Sequence, residues 1–415
     1  MRRNHIKTGM SEIKKNRFII VLVSLILVAL SCISPFAPEY KGGADFLVVD
    51  GSLIKGYDTQ VINISRSSSI SQPKYNPVEN CNVKIVDESG NEFVFTEGSK
   101  GKYEANIDDA LLSYNTRYKL VFDTPSGENY ESGYQELLQT VPIDSVYSIK
   151  ENHYSPENDK FMNGLQFYVD LDAPDDAPRY YRWQIDETWE IHAGYMITGY
   201  YDGDTIRLDP YSPSDSLYYC WNTKAVTGIY TCSTTNLSHN IFNKIPLHFK
   251  QDTSHELTVK YCATVRQYAL NEDAYNYWHQ KEIELNESGQ IYTTQPGQLK
   301  SNIYNVANPA EKILGFFWAS SFTEKRRFEK NPYLNEIGVG QLSCVSYGSC
   351  TDFVDDGFIN LLYRIAKTTR YFPKPPVYLY NYTDPIGKLC VYFSKDECVD
   401  CRLIGGTTHK PDFWE

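Results

Sequence analysis

The chain has 415 residues, with 40 Lys and Arg against 52 Asp and Glu, for a formal net charge of −12. Apart from its first 17 residues the chain is acidic with no basic tract, which argues against nucleic acid, whose binding depends on Lys and Arg neutralising phosphates, and against docking on anionic lipid head groups. The length implies two domains, and the 34 tyrosines suit half-buried pleated surfaces.

The first element is a leader. Arg2, Arg3, Lys7, Lys14, Lys15 and Arg17 precede or open the apolar run FIIVLVSLILVAL at 18–30, and Ser31 and Cys32 follow it. A basic start, a short apolar centre and a small residue before the cut make residues 1–31 a secretory signal. A cysteine at the cut resembles the lipobox of bacterial lipoproteins, with Ala29 where Leu is usual. The run falls short of the about 20 apolar residues that a retained span needs. Cys32 is therefore expected to carry a lipid, which would attach the protein to a membrane. Residues 32–44, with Pro35, Pro38, Gly42 and Gly43, read as a tether.

Short strands come next. FLVVDGSLI starts at Phe46 and QVINISRS at Gln60. VKIVDESGNEFVFTE from Val83 is a hairpin pattern turning at Ser89-Gly90-Asn91, and a second hairpin turns near Pro125-Ser126-Gly127. This spacing predicts an N-terminal immunoglobulin-like β-sandwich over 45–142. From Ile143 the strands lengthen, as in LQFYVDLDAP, YYRWQIDETWEIH and ELTVKYCATVRQYAL. One helix stands out. Asn271 can cap it, Glu272 and Asp273 suit its first turn, and Ala274, Tyr275, Trp278 and Leu285 lie near one face, with Trp278 inward. Asn286 and Gly289 can end it. The strand ILGFFWASSF and a cysteine-containing tail follow. The expected fold is mostly β, with a larger β-rich C-terminal domain over 143–415 holding at least one α-helix.

An exported chain can oxidise its cysteines. Cys81 and Cys262 sit in apolar runs and read as buried core thiols. The close pairs Cys220 and Cys232, Cys344 and Cys350, and Cys398 and Cys401 read as disulfide staples, with Cys390 near enough to compete in the tail. Ten cysteines leave an odd number once Cys32 is lipidated, so at least one stays free.

Catalytic patterns are sparse. The sequence holds no GxSxG, HExxH, Walker A or GxGxxG, and His153, His192, His239, His248, His255, His279 and His409 show no metal-ligand spacing. Asp170, Asp172, Asp175 and Asp176 form an acidic loop whose oxygens are weak candidates for Ca²⁺. Their order is not that of an EF-hand, and a solvated loop is the simpler reading. Asp352, Asp355 and Asp356 form a second such group. Paired carboxylates would serve glycoside hydrolysis only at a suitable separation. No metal, cofactor or catalytic residue is assigned.

Several blocks together carry a resemblance: Cys32 with the Pro and Glu after it, FLVVDGSL at 46–53, VKIVDESGNEFVF at 83–95, and YYRWQI at 180–185. The others are Cys220-Trp221, VRQYALNEDAYNYW at 265–278, PGQLKSNIYNVANPAEKILGFFWAS at 296–320 and the tail CVDCRLIGGTTHKPDFWE. The chain resembles the Bacteroidota outer-membrane lipoprotein family called domain of unknown function 4249. That family has no established activity, so the resemblance transfers no catalytic residue. Its members are commonly encoded beside TonB-dependent receptors. The resemblance therefore implies a non-enzymatic outer-membrane lipoprotein, accessory to TonB-dependent uptake. The alternatives are a stand-alone glycan- or peptide-binding surface lipoprotein and a lipid-anchored hydrolase using paired carboxylates. Surface lipoproteins of these bacteria often carry an acidic run just after the lipidated cysteine. Here the first acid is Glu39, which leaves the membrane face open.

Overall fold

The computed structural model describes residues 45–69, 73–155, 159–197, 199–201, 206–208, 217–287, 299–330, 344, 347–351, 377–383 and 389–415. The leader, Cys32, the tether and Asp352, Asp355 and Asp356 lie outside the described residues. Phe46–Ser67 and Tyr75–Glu415 make up one compact unit. The few described residues of the other include a hydrogen bond from the Lys74 N–H to the Ser68 hydroxyl.

The N-terminal strands are β1 (Leu47–Lys55), β2 (Gln60–Arg66), β3 (Asn76–Pro77), β4 (Asn82–Asp87), β5 (Glu92–Ser99), β6 (Lys102–Ala105), β7 (Arg117–Asp123), β8 (Asn129–Ser132) and β9 (Gln135–Glu136). Both expected hairpins form, between β4 and β5 and between β7 and β8. At the first, Gly90 takes φ +92°, and the Asp87 carboxylate accepts from the N–H groups of Ser89 and Asn91 at 2.9 and 2.8 Å. This is the local side-chain cap that favours Asp before a turn. Strand β5 pairs with β6 on one side and β4 on the other, which joins the two layers of a sandwich. Val49, Ile62, Ile85, Leu120 and Phe122 fill it, and the Phe122 and Tyr130 rings stack at 5.0 Å.

The chain continues through β10 (Ser145–Ser155), β11 (Lys160–Asp172), β12 (Tyr180–His192), β13 (Gly199–Tyr201), β14 (Ile206–Leu208), β15 (Tyr219–Ala225), β16 (Tyr230–Ser233), β17 (Ile241–Gln251) and β18 (Lys260–Ala269). After helix α1 (Glu272–Glu287) come β19 (Ile303–Asn305), β20 (Ile313–Lys330), β21 (Tyr347–Thr351), β22 (Val377–Thr383) and β23 (Leu389–Phe393). The fold is thus mostly β, sandwich-like and multi-sheet, with a single α-helix among the described residues.

Strand β20 organises the molecule. Its first half pairs parallel with β1, from Ile313 opposite Leu47 to Ser321 opposite Lys55. Its second half pairs antiparallel with β18. The path β15-β12-β18-β20-β1-β2 is therefore continuous, and pairing crosses position 142. Ile303, Ile313, Phe317 and Ala319 also complete the N-terminal core. Close approach to β1 requires glycine at 315: its φ is +104°, and a Cβ there would lie 1.8 Å from the Val49 carbonyl oxygen.

Strand β12 has a buried layer on each face. Tyr181, Trp183 and Ile185 point into a core shared with Phe167, Val169 and Leu171 of β11 and with Val265 of β18. The alternate residues Tyr180 and Arg182 face α1. There Ala274, Tyr277 and Trp278 of the helix pack on Tyr268, Phe316 and Trp318 of the sheet.

Candidate functional site

The helix is built as its sequence implies. The Asn271 side chain accepts from the Ala274 N–H at 2.9 Å and donates to Gln135 Oε1 at 2.9 Å, so the cap also ties the helix to β9. Ala274 and Trp278 are buried. Leu285, expected on the same face, is 45 % exposed. The apolar stripe stops before it, where Lys281 takes over at the helix margin.

Beneath the helix lies the most unusual chemistry of the molecule. The Arg182 guanidinium stacks on the Trp278 ring at 3.8 Å from its centroid, with Trp318 at 5.3 Å and Tyr268 at 5.9 Å. Lys281 Nζ lies 5.0 Å from the same indole and 5.7 Å from Tyr277. Such contacts satisfy part of each charge through the ring quadrupole. They leave the N–H donors untouched. Arg182 Nε and Trp278 Nε1 are both sealed from solvent and without a hydrogen-bond partner. Burial lowers the Arg182 pKa, with partial compensation from Tyr268 and Asp50. Burial also lowers that of Lys281; Asp50 opposes this, and Arg182 reinforces it. Arg266, on the same sheet face, is bonded by Asp186 at 2.5 Å and Glu324 at 2.9 Å.

The opposite face of β12 holds a second charged group. Lys250 Nζ bridges Glu187 at 2.8 Å and Glu256 at 2.9 Å, and the Tyr261 hydroxyl donates to Glu187 at 3.2 Å. Burial would raise the Glu256 pKa, but the Lys250 hydrogen bond and charge hold it low. His248 Nε2 sits 3.9 Å from Glu187 with no hydrogen-bond partner, and burial lowers its pKa, with Glu187 opposing. Sequence reading missed this triad, because Glu187 lies about sixty residues before Lys250 and Glu256 and only the fold brings them together.

The acidic loop does not converge. Asp170 accepts from the Lys244 N–H, Ser145 and Tyr147 at 2.6, 2.7 and 3.1 Å. Burial would raise its pKa, and those bonds hold it low instead. Asp175 accepts from the Asn240 N–H at 2.9 Å and pairs with Arg179 and His239, while Asp172 and Asp176 are exposed. Among the described residues no group of three or more His, Cys, Asp or Glu side chains gathers as a metal site. A shallow basin of about 540 Å³ is lined by Tyr57, Asp58, Thr59, Asn106, Asp108 and Asp109 among others. Asp108 caps the Ala110 N–H and Asp109 accepts from the Gly56 N–H, so both carboxylates are engaged locally.

The disulfides differ from the expected close pairs. Cys220 bonds Cys401 and Cys344 bonds Cys398, across 181 and 54 residues. Cys220 and Cys232 cannot meet, because they lie opposite Ile191 and Tyr181, near the two ends of β12. Ten residues of strand separate those positions by about 33 Å. Cys232 is a buried free thiol, as are Cys81 and Cys262. Burial raises all three pKa values, to about 12 at Cys232 and about 11 at Cys262. Cys350 lies opposite Cys390 in the β21–β23 register. The tail packs closely: Trp414 is buried, its Nε1 donates to Glu190 at 3.2 Å, and Thr407 bridges Trp221.

Comparison with known proteins decides the family. Residues 33–326 match the family described as Domain of unknown function (DUF4249). The chain belongs to that family. No curated protein matches it. Among solved structures, one similar chain is described as a tetra-tandem repeat in the extending region of a large adhesion protein. It is 10 % identical with a TM-score of 0.15, over 75 % of this chain and 53 % of the other. The chain thus spans about half the length of that protein. Among the described residues no helix of this DUF4249 protein is long and apolar enough to cross a membrane.

Proposed function

We propose that this DUF4249 protein is a non-enzymatic, lipid-anchored outer-membrane protein that acts as an accessory subunit of a TonB-dependent uptake system. The observation that carries the reading is the basic, apolar leader closed by Cys32 and followed by a Pro- and Gly-containing tether. Among the described residues, the state of the buried Glu187 and the half-buried Glu256 and Asp170 supports binding over hydrolysis. Glu187 and Glu256 share Lys250, and Asp170 is held by three donors, so these groups are committed to partners within the fold. A general acid or base needs a carboxyl group within reach of substrate.

A stand-alone glycan- or peptide-binding role has its own support. The Phe249 ring stacks on His153 at 4.2 Å, and Tyr154 meets Phe161 at 5.4 Å; Tyr154 and Phe161 are exposed. Affinity purification of the tagged chain from native membranes separates the readings. Co-purification of a TonB-dependent receptor barrel, with fatty-acid labelling lost in Cys32→Ala, is the expected result. Labelling that persists in Cys32→Ala, or recovery without a receptor, overturns the proposal.

A further inference from the structure

The groups around α1 are unbalanced in one direction. Arg182 offers five N–H donors and no acceptor, Lys281 offers three, and the Trp278 indole offers one. Among the described residues none accepts from Arg182, from Lys281 or from Trp278 Nε1. The indole is 8 % exposed and its N–H is sealed. Arg182 and Lys281 are half-buried, so each still reaches the margin of the helix. The acidic group that acts on both cations is Asp50, which is exposed and forms no ion pair with either among the described residues; Glu284 acts on Lys281 as well. Sheet positions beside them show that the fold can supply carboxylates here, since Arg266 has two. Two repelling cations packed on one indole, without an acceptor, is an arrangement an anion would complete.

We propose that Arg182, Lys281 and Trp278 form a binding site for the carboxylate of an organic ligand. The guanidinium edge matches the two oxygens of a planar carboxylate. Lys281 adds a second positive charge from the opposite element. Trp278 is the ring that both cations contact, and the buried Trp318, Tyr277 and Phe316 pack around it and hold it in place. The site is independent of the proposed anchor and partner, and it is tested on the purified chain.

The test titrates the soluble chain from Cys32 onward with benzoate and follows tryptophan fluorescence, with benzamide and inorganic phosphate as controls. Saturable binding with a millimolar Kd, the weak end for so small an anion, is expected for benzoate only. Arg182→Leu should weaken it by about tenfold or more, the loss of one charge-assisted pair of bonds. Lys281→Met, at the helix margin, should weaken it less and guards against misfolding of the first variant. Circular dichroism of both variants should match the parent. No saturation up to about 50 mM, well past the expected range, overturns the proposal. So does equal binding of benzamide, equal binding of phosphate, or benzoate binding undiminished in both variants.

Discussion

Strand β12 divides two regions that treat buried charge in opposite ways. On one face Glu187 meets Lys250, which meets Glu256, and a tyrosine hydroxyl completes the group. On the other, Arg182 stacks on an indole and finds no carboxylate. The first region is also closed covalently, since Cys401 lies in its core and is bonded to Cys220. The second is covered by one amphipathic helix. A charge whose partners are built into the fold belongs to the fold's own stability. A desolvated cation left without one costs stability and is retained for another reason. The contrast separates a structural cluster from a candidate recognition site without any appeal to activity.

The largest effect should come from the covalent closure. Replacing Cys220 and Cys401 together by Ala releases a 181-residue loop, and chain entropy sets the loss near 5 kcal/mol at most. Urea denaturation and peptide mapping check this, and mapping should recover the 220–401 and 344–398 linked peptides. Mapping that finds Cys398 bonded to Cys401 would remove the closure from the comparison. Next, Trp278→Ala should cost about 3–5 kcal/mol, the usual range for deleting a buried aromatic. A loss well below about 1 kcal/mol would mean that the helix lies loosely on its sheet.

The smallest effect concerns pH. Burial holds the His248 pKa below its unfolded value, with Glu187 acting against burial. The unfolded chain therefore binds the proton first as pH falls below about 6.5. Stability from this group is fully present above that pH and is lost as pH drops toward the folded value. His248→Asn should flatten the stability curve between about pH 5 and 7. The groups facing it are Glu187, Lys250 and Glu256. An unchanged slope in the variant would assign the pH dependence elsewhere. Glu256 acts lower in the range. Its depressed pKa contributes stability above about pH 4.5 that is lost on further acidification.

Local order was the readable part of this chain. The two hairpins, the cap at Asn271 and the inward Trp278 each follow from residues within one or two turns of one another. Long-range pairing was not readable. Nothing in ILGFFWASSF says that it joins β1 in parallel, since a continuous apolar run fits any buried strand. Gly315 marks the close approach, but only once the neighbour is known. The cysteine pairs misled because sequence distance says little when a strand carries two residues to opposite ends. Arg182 was visible within YYRWQI, where alternation sets it apart from Tyr181 and Trp183. Its missing partner could be seen only with α1 in place.

The most direct test of the contrast is a paired unfolding measurement on Lys250→Met and Arg182→Leu. Removing Lys250 strands the buried Glu187 and the half-buried Glu256, and breaking a buried pair in this way typically costs about 3–5 kcal/mol. Removing Arg182 gives up a cation–π contact of about 0.5–2 kcal/mol but also relieves a desolvated, unpaired charge. Denaturant titration in anion-poor buffer should therefore place Arg182→Leu within about 1 kcal/mol of the parent, with Lys250→Met far below both. An Arg182→Leu loss as large as that of Lys250→Met would contradict the account, because both clusters would then be structural.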